Sequence, residues 1–192
     1  MNLTNYVENG YTYTDYLRKI EDQLFDLEKL DKENEMIEYY SLNLKRIDRL
    51  NRTFTLSDEQ KQSLQSLQTN FKILVISEGW CGDAAQILPV VNVIAKEAGI
   101  ELKIVLRDQN LELIDAYLTD GGRSIPIFIG VNENGEEIFK FGPRPSYGMK
   151  LLEKFRADEN YSKDEFHKDL QLWYAKDKGN AIFDELVEKM KK

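Results

Sequence analysis

One cysteine and one histidine stand in the 192-residue chain, Cys81 and His167. Cys81 lies within Ser77-Glu78-Gly79-Trp80-Cys81-Gly82-Asp83-Ala84-Ala85-Gln86-Ile87-Leu88-Pro89, between a short apolar run and a long helical pattern. In open α/β sheets, the junction from strand end to helix start is where ligands bind. A cysteine just before a helix has unpaired N–H groups and the positive end of the helix dipole beside it. Both stabilise the thiolate, which is the reactive form. Position alone nominates Cys81 as an exposed, ligand-facing nucleophile. The plainer alternative is a buried small hydrophobe, as free cysteines often are. His167 sits in a charged helical stretch and reads as a surface histidine, outside any site. One cysteine excludes an internal disulfide, and the cysteine and histidine counts exclude metal sites built on those residues. No loop carries a calcium-binding spacing.

The elements that must hold this segment follow from hydrophobic period. Residues 13–70 read as helical: Leu17, Ile20, Leu24 and Leu27 recur at helical spacing, then Met36, Tyr40, Leu44 and Ile47. A third helix begins at Ser57, where Ser57 and Gln60 have the spacing of a capping box, and runs through Leu64 and Leu67. Residues 53–56 suit either a short strand or a plain connection. Ile73-Leu74-Val75-Ile76 is a β-branched run of buried-strand type. Ala84, Ile87, Leu88, Val91, Ile94 and Ala98 share one helical face that Gly99 ends. Residues 102–106 form a second strand, 111–118 a short helix ended by Gly121-Gly122, and 126–131 a third strand. Asn134-Gly135 is a tight hairpin turn leading to a fourth strand over 137–141. Right-handed crossover makes the first two strands parallel, with an antiparallel ribbon at one edge.

The last part, 144–192, returns to helix. Met149, Leu152 and Phe155 are expected to pack on the sheet. Ser162 and Glu165 make another capping box ahead of Phe166, Leu170 and Trp173. Lys178-Gly179-Asn180 breaks the helix before Ile182, Phe183, Leu186 and Met190. Lys189, Lys191 and Lys192 suit a helix C-terminus.

Trp80-Cys81-Gly82-Asp83-Ala84 resembles the Trp-Cys-Gly-Pro-Cys motif of thioredoxins. Pro89 matches the proline that kinks that family's active-site helix, a position where proline ordinarily costs about 3 kcal/mol. Gly122-Arg123-Ser124-Ile125-Pro126 resembles the family's segment ending in a cis-proline. Asn134-Gly135-Glu136 is similar to its hairpin turn, and Gly142 to the glycine after its last strand. Residues 57–156 match in order. The chain thus resembles thioredoxin-like proteins that carry Trp-Cys-Gly-Asp. The fold this implies is a thioredoxin-like α/β fold, a central mixed sheet flanked by helices. An N-terminal helical extension (1–56) and C-terminal helices (157–192) are expected to pack on the core (57–156), since no linker separates them.

The resemblance also defines departures. Ala84 stands where the family has its resolving cysteine, and Val75 where it has a buried acid. Asp83 replaces the motif proline; its carboxylate opposes a thiolate on Cys81, while Arg123 is expected to lie near Cys81 and push the other way. The resemblance implies Cys81 as the catalytic residue, with Trp80, Gly82, Asp83, Ala84, Arg123, Ile125 and Pro126 binding substrate. A cis Ile125–Pro126 bond would turn the Ile125 backbone toward Cys81 to pair with an extended peptide or with glutathione.

Two functions follow. The first is a monothiol thiol–disulfide oxidoreductase acting on protein or peptide disulfides, resolved by an external low-molecular-weight thiol such as glutathione. It needs no other cofactor and no metal. The second is a redox-inactive binding module for a peptide or protein partner. A dimer linked Cys81 to Cys81 is a third arrangement. The net charge of −8 argues against nucleic-acid and anionic-membrane partners. The polar stretch from Met1 to Tyr16, with no apolar segment of signal type, and the lone cysteine lead to an expected cytoplasmic location.

Overall fold

The computed structural model describes residues 1–191; the expectation for Lys192 lies outside the described residues. Four helices precede the first strand: α1 (Thr4–Asn9), α2 (Tyr13–Leu30), α3 (Met36–Thr53) and α4 (Asp58–Gln65). Then follow β1 (Phe71–Ser77), α5 (Gly82–Ala98), β2 (Leu102–Leu106), a 3-10 turn (Arg107–Gln109) and α6 (Leu111–Asp115). The hairpin β3 (Ile127–Asn132) and β4 (Glu137–Phe141) comes next. The chain closes with α7 (Ser146–Ala157), α8 (Lys163–Asp177) and α9 (Asn180–Met190).

The sheet order is β2-β1-β3-β4. β1 runs parallel to β2 with Val75 opposite Ile104, and antiparallel to β3 with Val75 opposite Phe128. β4 pairs antiparallel with β3 at the edge. Side chains alternate across the strands, so β1 serves two cores. Ile73 and Val75 face one layer with α2, α3, α5 and α9. Leu74 and Ile76 face the other, beneath Leu113, Ile114 and Tyr117 of the α6 region. Val75 is fully buried in the first layer, where an unpaired acid would be costly.

Both expected capping boxes form, at Ser57–Gln60 and Ser162–Glu165. Gly99 ends α5 at φ 68°, a left-handed conformation that glycine adopts without strain. Pro89 lies inside α5, which continues through it. Lys178 and Gly179 at positive φ separate α8 from α9. Among the described residues no helix is long and apolar enough to cross a membrane.

Several local expectations change. Of the two forms expected over 53–56, residues 54–56 take the plain connection, and Thr53 belongs to α3, which caps on Phe54. α4 stops at Gln65, short of Leu67, and α6 ends at Asp115, short of Leu118. The polar N-terminus forms α1: Leu3 and Val7 are buried on the second face of the sheet, and Tyr11 bridges Ile104. α7 packs on α8 rather than on the sheet, with Phe155 stacked on Phe166 at 5.3 Å. α9 takes the place expected of α7, lying against α5 and β4.

Candidate functional site

Cys81 is the N-cap of α5. Its Sγ accepts from the Ala84 N–H at 3.5 Å and donates to the Ile125 carbonyl at 3.4 Å. The Ile125–Pro126 peptide bond is cis, as is Gly142–Pro143. The residue is only 7% exposed, packed with Leu74, Ile76, Ala84 and Ile125, so the expectation of an exposed nucleophile is corrected. Burial, and then the nearby Asp83, push its thiol up to about 12, against the helix N–H groups and Arg144, which favour the thiolate. The helix-terminus argument named a real contribution; desolvation outweighs it.

Asp83 is buried and held from two sides. Arg144 pairs with Oδ2 at 2.7 Å and the Tyr174 hydroxyl donates to Oδ1 at 2.9 Å. Burial still raises its carboxyl pKa. The cation acting on Cys81 is therefore Arg144, from the segment after β4. Arg123 is instead tied to Asp115 by two bonds, at 2.6 and 2.8 Å, and stands at the rim of the site. The thiolate-favouring push expected of Arg123 comes from Arg144, while Arg123 lines the cleft with its ion-pair partner in α6.

An open cleft of about 700 Å³ leads to Cys81. Trp80, Cys81, Gly82, Asp83, Arg123 and Ile125 line it, while Ala84 sits beneath the surface in the apolar layer. Pro126 is buried behind Ile125. Trp80 is half-buried, with the Arg107 guanidinium 4.6 Å above its ring.

The rest of the wall comes from distant segments. α3 contributes Tyr39, Asn43 and Arg46, and α8 contributes Lys163, His167 and Gln171. Asn43 donates to the Gly79 carbonyl at 3.0 Å, which fixes α3 on the loop. Arg49, Gln86 and Gln171 link α3, α5 and α8 through bonds of 3.2 and 2.7 Å. His167 is exposed, as expected, yet it lines the cleft; burial and the neighbouring Lys163 lower its pKa. Its sequence signal was weak because α8 reaches the site only through tertiary packing. Glu78 was also missed. It is buried after β1, accepts from the Asp108 N–H at 2.8 Å, and its carboxyl is raised by burial.

Among curated proteins none matches the chain significantly. Over nearly its whole length the chain is similar to a protein of unknown function from Pseudomonas aeruginosa. The TM-score is 0.68 and the identity 14%, over 99% of this chain and 97% of that one. It is likewise similar to an HIV epitope-scaffold, with TM-score 0.65 and 14% identity over 99% and 98% of the two chains. At such identity these two likenesses concern fold. The family profile described as thioredoxin matches residues 30–157, which span the sheet, the Cys81 loop and the Ile125–Pro126 segment. On that match the chain belongs to the thioredoxin family.

Proposed function

We propose that this protein is a redox-inactive binding module of thioredoxin fold, which takes its partner into the cleft over Cys81. The observation that carries the reading is the state of the sulfur: Cys81 is 7% exposed and its thiol is pushed up to about 12. At neutral pH such a thiol is protonated, and the thiol is not the nucleophile. Ala84 supplies no second sulfur. Two copies cannot join Cys81 to Cys81 while both sulfurs lie beneath their own clefts. The lone reduced cysteine suits a reducing compartment such as the cytoplasm.

The monothiol oxidoreductase is the second reading. It is favoured by one observation: the cleft ends on Cys81 at the N-cap of α5, where the Ala84 N–H reaches Sγ. In that reaction the Cys81 thiolate forms a bond to one sulfur of a disulfide and the other leaves as thiolate. An external thiol then reverses the bond. Incubation of the folded protein with oxidised glutathione at neutral pH, read by intact mass, separates the two. The binding module gains no glutathione adduct until it is unfolded. Rapid adduct formation on folded protein, absent in Cys81→Ser, would establish the oxidoreductase.

A further inference from the structure

The cleft over Cys81 is cationic within an acidic protein. Five always-charged cations line it: Arg46, Arg107, Arg123, Arg144 and Lys163, with His167 beside them. Among the described residues, Asp83 is the one carboxylate in the lining. Arg107 pairs with Asp108 at 2.7 Å and Arg123 with Asp115, both carboxylates lying outside the lining. Arg144 uses one nitrogen on Asp83, while its Nε is buried with no acceptor among the described residues. The guanidinium of Arg46 donates to the neutral Asn43 amide at 3.0 Å. Burial lowers the Arg46 pKa, Asp83 acts against that, and Arg49 adds to the lowering.

Folding normally keeps like charges apart, because a desolvated cation without a counter-charge is costly. These cations come from five separate stretches of chain, yet face one concavity. The net charge of −8 makes that gathering the reverse of what composition would give. Arginine suits this arrangement, since its planar fork binds carboxylate and phosphate oxygens in pairs. A cleft of about 700 Å³ lies in the range of small-molecule sites and is walled on both sides of Cys81. An acidic protein segment would more naturally meet an extended basic stripe.

We infer that the cleft binds a small organic anion carrying two or more carboxylate or phosphate groups, held by Arg46, Arg144 and Lys163, which line it together with Cys81. This inference rests on the binding-module reading and names its ligand class. Such a ligand supplies a charged acceptor to Arg46, whose own hydrogen-bond partner is the neutral Asn43 amide.

The test is a titration of the full chain with inorganic pyrophosphate and, separately, with citrate, at constant ionic strength. Shifts of the Trp80 indole and Gly82 amide NMR signals report the cleft. Saturable shifts with either anion are expected, and the tighter of the two identifies phosphate or carboxylate chemistry. Arg46→Glu should weaken binding about tenfold or more. Arg52→Glu, an exposed change on the same helix outside the cleft, should leave it within about twofold. No saturable shift with either anion, shifts that both variants alter equally, or saturation only with a polyglutamate peptide would overturn the assignment. The glutathione incubation judges the binding-module reading independently. An unreactive thiol with no anion binding defeats only the ligand class, and a reactive thiol defeats only the redox-inactive reading.

Discussion

The neighbours of Cys81 determine what its sulfur can do. The sulfur is desolvated and shares its surroundings with buried Asp83, so the folded state holds its proton far above the usual range. That has a consequence for stability. The folded thiol pKa, about 12, exceeds the unfolded value of about 8.5. Its contribution is therefore fully present below the unfolded value and is lost as pH rises toward the folded one, by up to about 1.4 kcal/mol per pH unit. Cys81→Ser removes this slope. Urea denaturation of both proteins from neutral to alkaline pH should show the variant gaining stability relative to the native protein as pH rises. Tyr13, Tyr16 and Tyr40 are also raised by burial. Tyr13 and Tyr40 are common to both proteins and cancel in the difference, while Tyr16, which the Cys81 thiolate helps to raise, contributes part of it. Parallel curves would mean that the thiol titrates normally in the fold.

The elements around the loop explain why it tolerates little change. Helices α2 and α3 approach Gly79 so closely that an added Cβ would lie 2.6 Å from the Tyr40 ring and 2.9 Å from Ile20. Gly79→Ala should therefore cost about 1–3 kcal/mol by overpacking, measured by chemical denaturation. A change within a few tenths of a kcal/mol would show that the helices yield there. At this scale much was legible. The run Ile73-Leu74-Val75-Ile76, the face from Ala84 to Ala98, the Asn134-Gly135 turn and both capping boxes each have a local cause, and local causes can be read from local sequence. α1 escaped because its short, polar stretch offers few apolar anchors, chiefly Leu3 and Val7, and what it packs against lies on β1 and β2. The exchange of places between α7 and α9 escaped because period shows that a helix has an apolar face, while topology decides what covers it.

Across the whole molecule, the helices beyond the sheet help build the site. α3 and α8 form one wall of the cleft, and α9 completes the first core layer with Ile182, Leu186 and Val187. Leu186 is fully buried. Leu186→Ala should cost about 2–5 kcal/mol and shift the entire unfolding transition, seen equally by Trp fluorescence and far-UV circular dichroism. Separate transitions would mean that the C-terminal helices unfold on their own. The cationic cleft was illegible in sequence for the same reason that it is informative in structure: Arg46, Arg107, Arg144 and Lys163 are far apart in the chain and carry no shared motif. The place of Cys81 at the start of α5 was legible, but its burial was not, since desolvation depends on neighbours from several elements. The central claim is that this sulfur is a neutral thiol at the base of a binding cleft, and the alkylation rate of Cys81 against pH, read by intact mass on folded protein, tests it most directly. A midpoint well above the free-cysteine value of about 8.5 is expected, with negligible labelling at neutral pH. A midpoint below that value would contradict it and return the protein to thiol chemistry.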